Sequence, residues 1–343
     1  MSRRGILFGG AAIGAGVLLT ACTSNEHDTK ATTPIAPAGG SDKPGKPITI
    51  GFSAPAADHG WMAAITANAQ ATAKLYPGEV TLKAVEAGKD ATAQRAALET
   101  LIQSKPDAIV ILPHDGAQLT ATARKAMAAG IPVINLDRAF TDELAFRLLI
   151  KGDNYGMGVA AGHFIGGRLK KAQVADPKIA EIAGIDSLPL TQDRSRGFKD
   201  ALATYGFAVS NRAAAEFTID SGQKVAANLL QAAPKLDALW NHDDDQGIGV
   251  LAAIKQAGRS EFFMVGGAGS LKAMEAIKRD DSVLKATVTY SPSMASSAVA
   301  LARLVANERG LAGLAELAVP KEIRLASETI DKSNVENYLP LGF

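Results

Sequence analysis

The sequence predicts an α/β protein of two doubly wound, mostly parallel-sheet lobes. Three observations carry that reading: short β-rich runs alternate with longer runs of helical period, one segment is echoed later in the chain, and the length exceeds one core. The chain has 343 residues, of which about 300 follow a polar N-terminal stretch, more than a single average core serves.

Residues 48–52, 80–85, 108–112 and 133–136 are dense in apolar and β-branched side chains and read as strands buried on both faces. Helical stretches at 61–75, 91–103 and 118–129 separate them, the last closed by Gly130. Strand, helix, strand repeated in this way calls for right-handed crossovers and a parallel sheet. The rhythm resumes after Asn154, with strands near 179–183, 238–240, 262–265 and 286–288. Lys105-Pro106-Asp107-Ala108-Ile109 is echoed by Lys235-Leu236-Asp237-Ala238-Leu239, and each copy introduces a strand. Each is followed by His-Asp (His114-Asp115, His242-Asp243) and then by a helix ending in Ala-Gly, at Gly130 and Gly258. Matches in nearly constant register favour two similar lobes. In such sheets ligands bind beyond the carboxyl ends of strands, so two facing lobes predict a cleft between them.

The N-terminus reads as an address. Met1-Ser2-Arg3-Arg4 is basic and an apolar run reaches Leu19, the layout of an export signal over residues 1–21 and too short to span a bilayer stably. Leu19-Thr20-Ala21-Cys22 resembles the bacterial lipobox, which implies cleavage before Cys22 and a lipid anchor there; Cys22 is the chain's single cysteine and has no disulfide partner. Ser2-Arg3-Arg4-Gly5-Ile6-Leu7 also resembles a twin-arginine signal, so both twin-arginine and Sec export fit. Residues 22–46 are rich in Thr, Ser, Pro and Gly and read as a flexible tether. Lys plus Arg (36) nearly cancels Asp plus Glu (35), which gives no electrostatic reason to bind nucleic acid.

Polar residues just after strands are the candidates for a site. Asp137-Arg138 ends the apolar run 131–136, placing fixed acceptors beside a planar donor fork, a pair suited to vicinal hydroxyls or to a sheet-capping salt bridge. Other chemistry is poorly served. His242-Asp243-Asp244-Asp245 places adjacent residues on one turn, where they point in different directions, so no metal is expected. Gly267-Ala268-Gly269 begins like a dinucleotide fingerprint, but Lys272 stands where the next glycine belongs, and there is no Gly-x-Ser-x-Gly elbow. No cofactor is expected, and an exported sugar-modifying enzyme is a weak second reading.

From Ile48 onward the chain resembles the bacterial ribose-binding proteins, the type I periplasmic sugar-binding proteins of ABC transporters. The resemblance rests on Gly51-Phe52-Ser53 with Gly60-Trp61, on 131–138, and on Gly152-Asp153-Asn154-Tyr155-Gly156-Met157-Gly158. It continues through Asp193-Arg194-Ser195-Arg196-Gly197-Phe198 and Asn241-His242-Asp243-Asp244. It implies Trp61 and Met62 as sugar-stacking residues, Phe217 as their counterpart in the second lobe, and Asp137 and Arg138 as the hydroxyl-binding pair. His59, Gln192, Asp243, Ala268 and Tyr290 depart from the ribose pattern, which turns the expectation from ribose to a neutral monosaccharide or polyol. His59, Gln192, Asp243 and Tyr290 are expected ligand contacts, with Arg194 beside them. An acidic or phosphorylated sugar is disfavoured, since Asp137 and Asp243 stand against Arg138.

The resemblance also implies a three-crossing hinge. It assigns 47–152 and 291–320 to an N-terminal lobe and 153–290 and 321–343 to a C-terminal lobe. It further implies a monomeric, non-enzymatic lipoprotein on the outer face of the cell membrane, delivering its ligand to an ABC permease and ATPase or presenting it to a membrane sensor. The related effector domains of repressors need a helix-turn-helix before the first lobe, where this chain has a signal and a tether.

Overall fold

The computed structural model describes residues 44–309 and 319–343; the signal, Cys22 and nearly all of the tether lie outside them. The first lobe runs β1 (Ile48–Ala54), α1 (Gly60–Lys74), β2 (Val80–Glu86), α2 (Ala91–Gln103), β3 (Ala108–Ile111), α3 (Gly116–Ala128), β4 (Val133–Leu136) and β5 (Leu148–Gly152). The second runs α4 (Asn154–Lys171), β6 (Ile179–Ala183), α5 (Pro189–Ala203), β7 (Val209–Ala214), α6 (Ile219–Ala232), β8 (Ala238–Asn241), α7 (Asp244–Gln256), β9 (Phe263–Ala268), α8 (Leu271–Arg279) and β10 (Leu284–Thr289). Then α9 (Met294–Ala306) packs on the first sheet, and β11 (Glu322–Leu325), β12 (Thr329–Asp331) and α10 (Val335–Tyr338) follow.

The two sheets have one topology. Their strand orders are β11-β5-β4-β3-β1-β2 and β12-β10-β9-β8-β6-β7, parallel throughout except for β12 against β10. In each the order reverses beside the first strand, between β1 and β3 and between β6 and β8, and at such switch points the carboxyl ends leave a crevice.

The sequence echo has a physical cause in this repeat. Asp107 and Asp237 hold the start of the neighbouring strand, accepting from Thr49 N at 2.8 Å and Lys178 N at 2.7 Å. Asp115 and Asp243 cap α3 and α7, accepting from Gln118 N at 3.0 Å and Asp245 N at 2.8 Å. Gly130 and Gly258 end the two units at φ +79° and +65°, the left-handed conformation in which glycine carries no Cβ penalty. The repeated aspartates and glycines therefore mark strand entries, helix starts and helix stops.

Three expectations need correction. β2 is not buried on both faces: it is the sheet edge, with Thr81, Lys83 and Ala84 exposed. The third crossing does not fall at 320–321. β11 pairs in parallel with β5, Glu322 opposite Leu149 through Leu325 opposite Gly152, so 322–325 belong to the first sheet and the chain crosses after Leu325. Finally, β5, β7, β11 and β12 were not anticipated; β7 and β11 alternate half-buried with exposed residues, as edge strands do, and lack the continuous apolar signal.

Candidate functional site

The carboxyl ends of both sheets face one cavity, and each wall is shaped by its own lobe before any ligand is considered. After β4 the chain turns sharply, with Asp137 at φ +59°, a conformation Asp tolerates better than most residues. Buried Asn135 holds that turn: its Nδ2 donates to Arg138 O at 3.1 Å and its Oδ1 accepts from Phe140 N at 3.0 Å. Arg138 is fixed in turn by donating from Nη1 to His114 O at 2.6 Å, while its buried Nε has no partner among the described residues. His59 and Trp61 come from the start of α1, their rings stacked with 6.4 Å between centroids and 10° between planes. This wall thus offers a carboxylate, a guanidinium with a spare donor and a flat apolar face.

The opposite wall supplies Arg194 from α5, Phe217 ahead of α6, Asp243 at the head of α7 and Tyr290 after β10. Leu190 and Ala268 complete the lining. Arg194 is buried and spoken for, donating from Nε to Asn154 Oδ1 at 2.9 Å and from Nη1 to His242 O at 3.2 Å. The cap bonds of Asp243 use its Oδ1, which orients the side chain and leaves Oδ2 for a ligand.

Ten residues were expected to meet a ligand, and two of them face elsewhere. Met62 follows Trp61 on α1, about 100° further round the helix, and packs into the first lobe's core. Gln192 is exposed and donates to Asp186 O at 3.1 Å; on α5 it lies about 200° from Arg194, so only one of the two can face the cleft. His59, Trp61, Asp137, Arg138, Arg194, Phe217, Asp243 and Tyr290 line one cavity. Asn135 and Leu190 were not anticipated: an Asn inside a strand and a Leu in a first helical turn carry no functional signal of their own.

Burial pushes the Asp243 carboxyl up to about 6, against the pull of the His59 charge across the cleft. For His59, burial would lower the pKa, but the Asp58 hydrogen bond and the Asp243 charge outweigh it and raise it. Burial lowers the Arg138 guanidinium and, together with the Asp137 charge, raises the Tyr290 phenol, which stays a hydrogen-bond donor at ordinary pH.

The run of four at 242–245 divides its labour. His242 Nε2 lies 3.0 Å from Glu181 Oε1, and Gly184 N donates to its Nδ1 at 3.4 Å, the arrangement of a neutral imidazole. Asp244 turns inward and gathers β9, α8 and β10. Asp245 reaches across the cleft, its Oδ2 accepting from Trp61 N at 3.2 Å, so a carboxylate of the second lobe sits on the amino end of α1 in the first. We expect Asp245→Ala to favour the open form and weaken ligand binding about fivefold, a loss of about 1 kcal/mol for a part-buried charge-assisted bond. Equal dissociation rates for variant and wild type would show that this bond does not hold the lobes together.

Burial drives the His242 imidazole down from 6.5 to about 4, overriding the Glu181 carboxylate. The unfolded chain then binds a proton that the folded one refuses, so this contribution is intact above pH 6.5 and is lost as pH falls towards 4, by about 3 kcal/mol. Asp243 acts oppositely between 3.8 and 6, because its raised pKa makes the folded state hold the extra proton. His242→Gln should therefore flatten the acid limb of stability measured by urea unfolding, and an unchanged limb would exclude the histidine as its source.

Acceptors and forked donors around flat rings, set between two lobes of one topology, define a cleft-type binding protein for a small polar molecule. A family model described as a periplasmic binding protein domain matches residues 50–310, and the chain belongs to that family, as a type I periplasmic sugar-binding protein of ABC transporters. The family places it outside the cytoplasm.

The chain is 30% identical to the ribose import binding protein of Bacillus subtilis over 249 residues, covering 73% of this chain and 78% of that one. A solute-binding protein of an ABC transporter from Mycobacterium smegmatis, solved with bound glycerol, superposes with a TM-score of 0.76 at 25% identity, covering 85% and 97% of the two chains. The binding protein of the arabinose transporter from Shewanella, solved with L-arabinofuranose, gives 0.73 at 26%, covering 85% and 94%. These relatives are binding proteins of ABC importers.

Proposed function

We propose that the protein captures a neutral monosaccharide or sugar alcohol between its lobes and delivers it to an ABC permease and its ATPase, held at the outer face of the cell membrane by a lipid on Cys22. The observation that carries the ligand class is the pairing of Asp137 and Asp243 with Arg138 and Arg194 around the Trp61 and Phe217 rings in one cavity. Two acidic acceptors near the Arg138 fork, with Arg194 held beside them, suit vicinal hydroxyls, while rings stack on C–H faces. The near balance of charge gives an anionic ligand little advantage. Relatives solved with glycerol and with a furanose support a small polyhydroxy ligand here as well.

Ligand bridging both walls adds contacts that only the closed form offers, and that differential affinity shifts an open–closed equilibrium. No bond in the ligand is made or broken. Anchoring keeps the loaded receptor at high effective concentration beside its permease.

A thermal-shift screen of the purified protein against pentoses, hexoses and C4 to C6 alditols tests the ligand class. Stabilisation by at least one is expected, and none by any neutral polyhydroxy compound would refute it. Fractionation of membranes from wild-type and Cys22→Ser cells tests the anchor, which fails if both partition alike.

A further inference from the structure

Hydrogen bonds from both walls of the cleft converge on a residue that does not line the cavity. Asn154 opens α4, where the chain first enters the second lobe, and it is buried. Its Oδ1 accepts from Arg194 Nε at 2.9 Å, and its Nδ2 donates to the Tyr290 hydroxyl at 3.1 Å. That hydroxyl donates in turn to Asp137 Oδ1. Three bonds thus make one chain, from a guanidinium on the second wall to a carboxylate on the first. The hinge crossings meet at the same place. Asp153 N, one residue earlier, donates to Leu325 O at 2.9 Å and ties the first crossing to the third, while the Asn154–Tyr290 bond ties the first to the second. Gly152 leaves room for the Tyr290 ring, which a Cβ there would overlap.

The chain has a single sense. A guanidinium carries donors and no acceptor, so the amide must turn Oδ1 to Arg194, and Nδ2 is left facing the phenol. The phenol has one proton; receiving from Nδ2, it gives that proton to Asp137 and leaves the other carboxylate oxygen for a ligand. We propose that Asn154 is a positioning residue of the cleft, orienting Arg194 directly and Asp137 through the Tyr290 hydroxyl, so that one amide at the hinge sets a polar group on each wall. Substitutions of similar size break the pattern in different ways. Aspartate keeps the acceptor for Arg194 but puts a second carboxylate in front of the single phenol proton, and leucine supplies neither bond.

This role rests on the ligand class proposed above. The test is calorimetric titration of the purified protein with D-ribose, D-galactose and xylitol, in wild type, Asn154→Leu, Asn154→Asp, Tyr290→Phe and the Asn154→Leu/Tyr290→Phe double variant. For the tightest of the three probes, both Asn154 variants should weaken binding tenfold or more. Coupling is the readout that a merely structural role would not move: with the phenol hydroxyl already gone in Tyr290→Phe, Asn154→Leu should cost at least threefold less in affinity than it does in wild type. Unchanged affinity in Asn154→Leu, or the same factor lost with and without the hydroxyl, would overturn the role. If Asn154→Leu fails to fold, Asn154→Asp takes its place in the cycle. If no probe binds wild type, the ligand class fails, and the positioning is decided in the free protein by ¹⁵N NMR. The Arg194 Nε–H should exchange with solvent at least tenfold faster in Asn154→Leu, and an unchanged rate would overturn it.

Discussion

Asp137→Ala is expected to weaken ligand binding by two orders of magnitude or more. Two charge-assisted hydrogen bonds donated by ligand hydroxyls to a buried carboxylate contribute at least about 3 kcal/mol, roughly a hundredfold in Kd. Tyr290 would lose its acceptor in the same variant, and alanine at φ +59° adds about 1 kcal/mol of backbone strain. The unliganded melting temperature must therefore be measured beside the titration. Asp137→Asn separates the effects, because Asn adopts that conformation readily and keeps one acceptor; its affinity loss should be about tenfold with little change in melting. A ligand titration unchanged in Asp137→Ala would mean that the pair only caps the sheet.

The largest stability loss is expected at Asp244, which touches no ligand. Its Oδ1 accepts from Gly267 N at 2.9 Å, its Oδ2 from Gly269 N at 2.9 Å and Ser270 N at 2.8 Å, and Thr287 Oγ1 lies 3.0 Å from both oxygens. Alanine would take the acceptor from two buried N–H groups and the Thr287 hydroxyl, and leave Gly269 N only its 3.4 Å bond to Thr287 Oγ1, costing about 3–5 kcal/mol. Asparagine should do nearly as badly, since its amide nitrogen would face donors. Both variants can be compared by urea unfolding, and a loss below about 1 kcal/mol would show that water or a shifted backbone replaces the carboxylate. Ala268, at φ +97° on the cavity wall, belongs to the turn that Asp244 holds, so ligand affinity should fall with stability.

The strand-turn-helix units were legible because their signals are local. Continuous apolar runs mark β1, β3, β4, β6 and β8. The repeated Asp107/Asp237 and Asp115/Asp243 mark the same two steps in each lobe. Edge strands escaped, since half-exposed residues dilute the apolar run, and the last crossing was misplaced because nothing in 322–325 says which sheet will take it. Within the site, Trp61 and Arg194 were separated from Met62 and Gln192 only once the helix faces were known: one position on α1 or two on α5 turns a side chain away from the cleft.

The sequence by itself determined two similar α/β lobes, an interlobe cleft and the Asp137-Arg138 pair at its edge, because strand burial, caps and turns are written in residues near one another in the chain. Tertiary structure alone decided that Asp245 clasps α1 and that Tyr290 fills the space beside Gly152. Those contacts join residues 184 and 153 positions apart for Trp61–Asp245 and Asp137–Tyr290. Such pairing depends on how two sheets face each other, and no periodicity within either one encodes it.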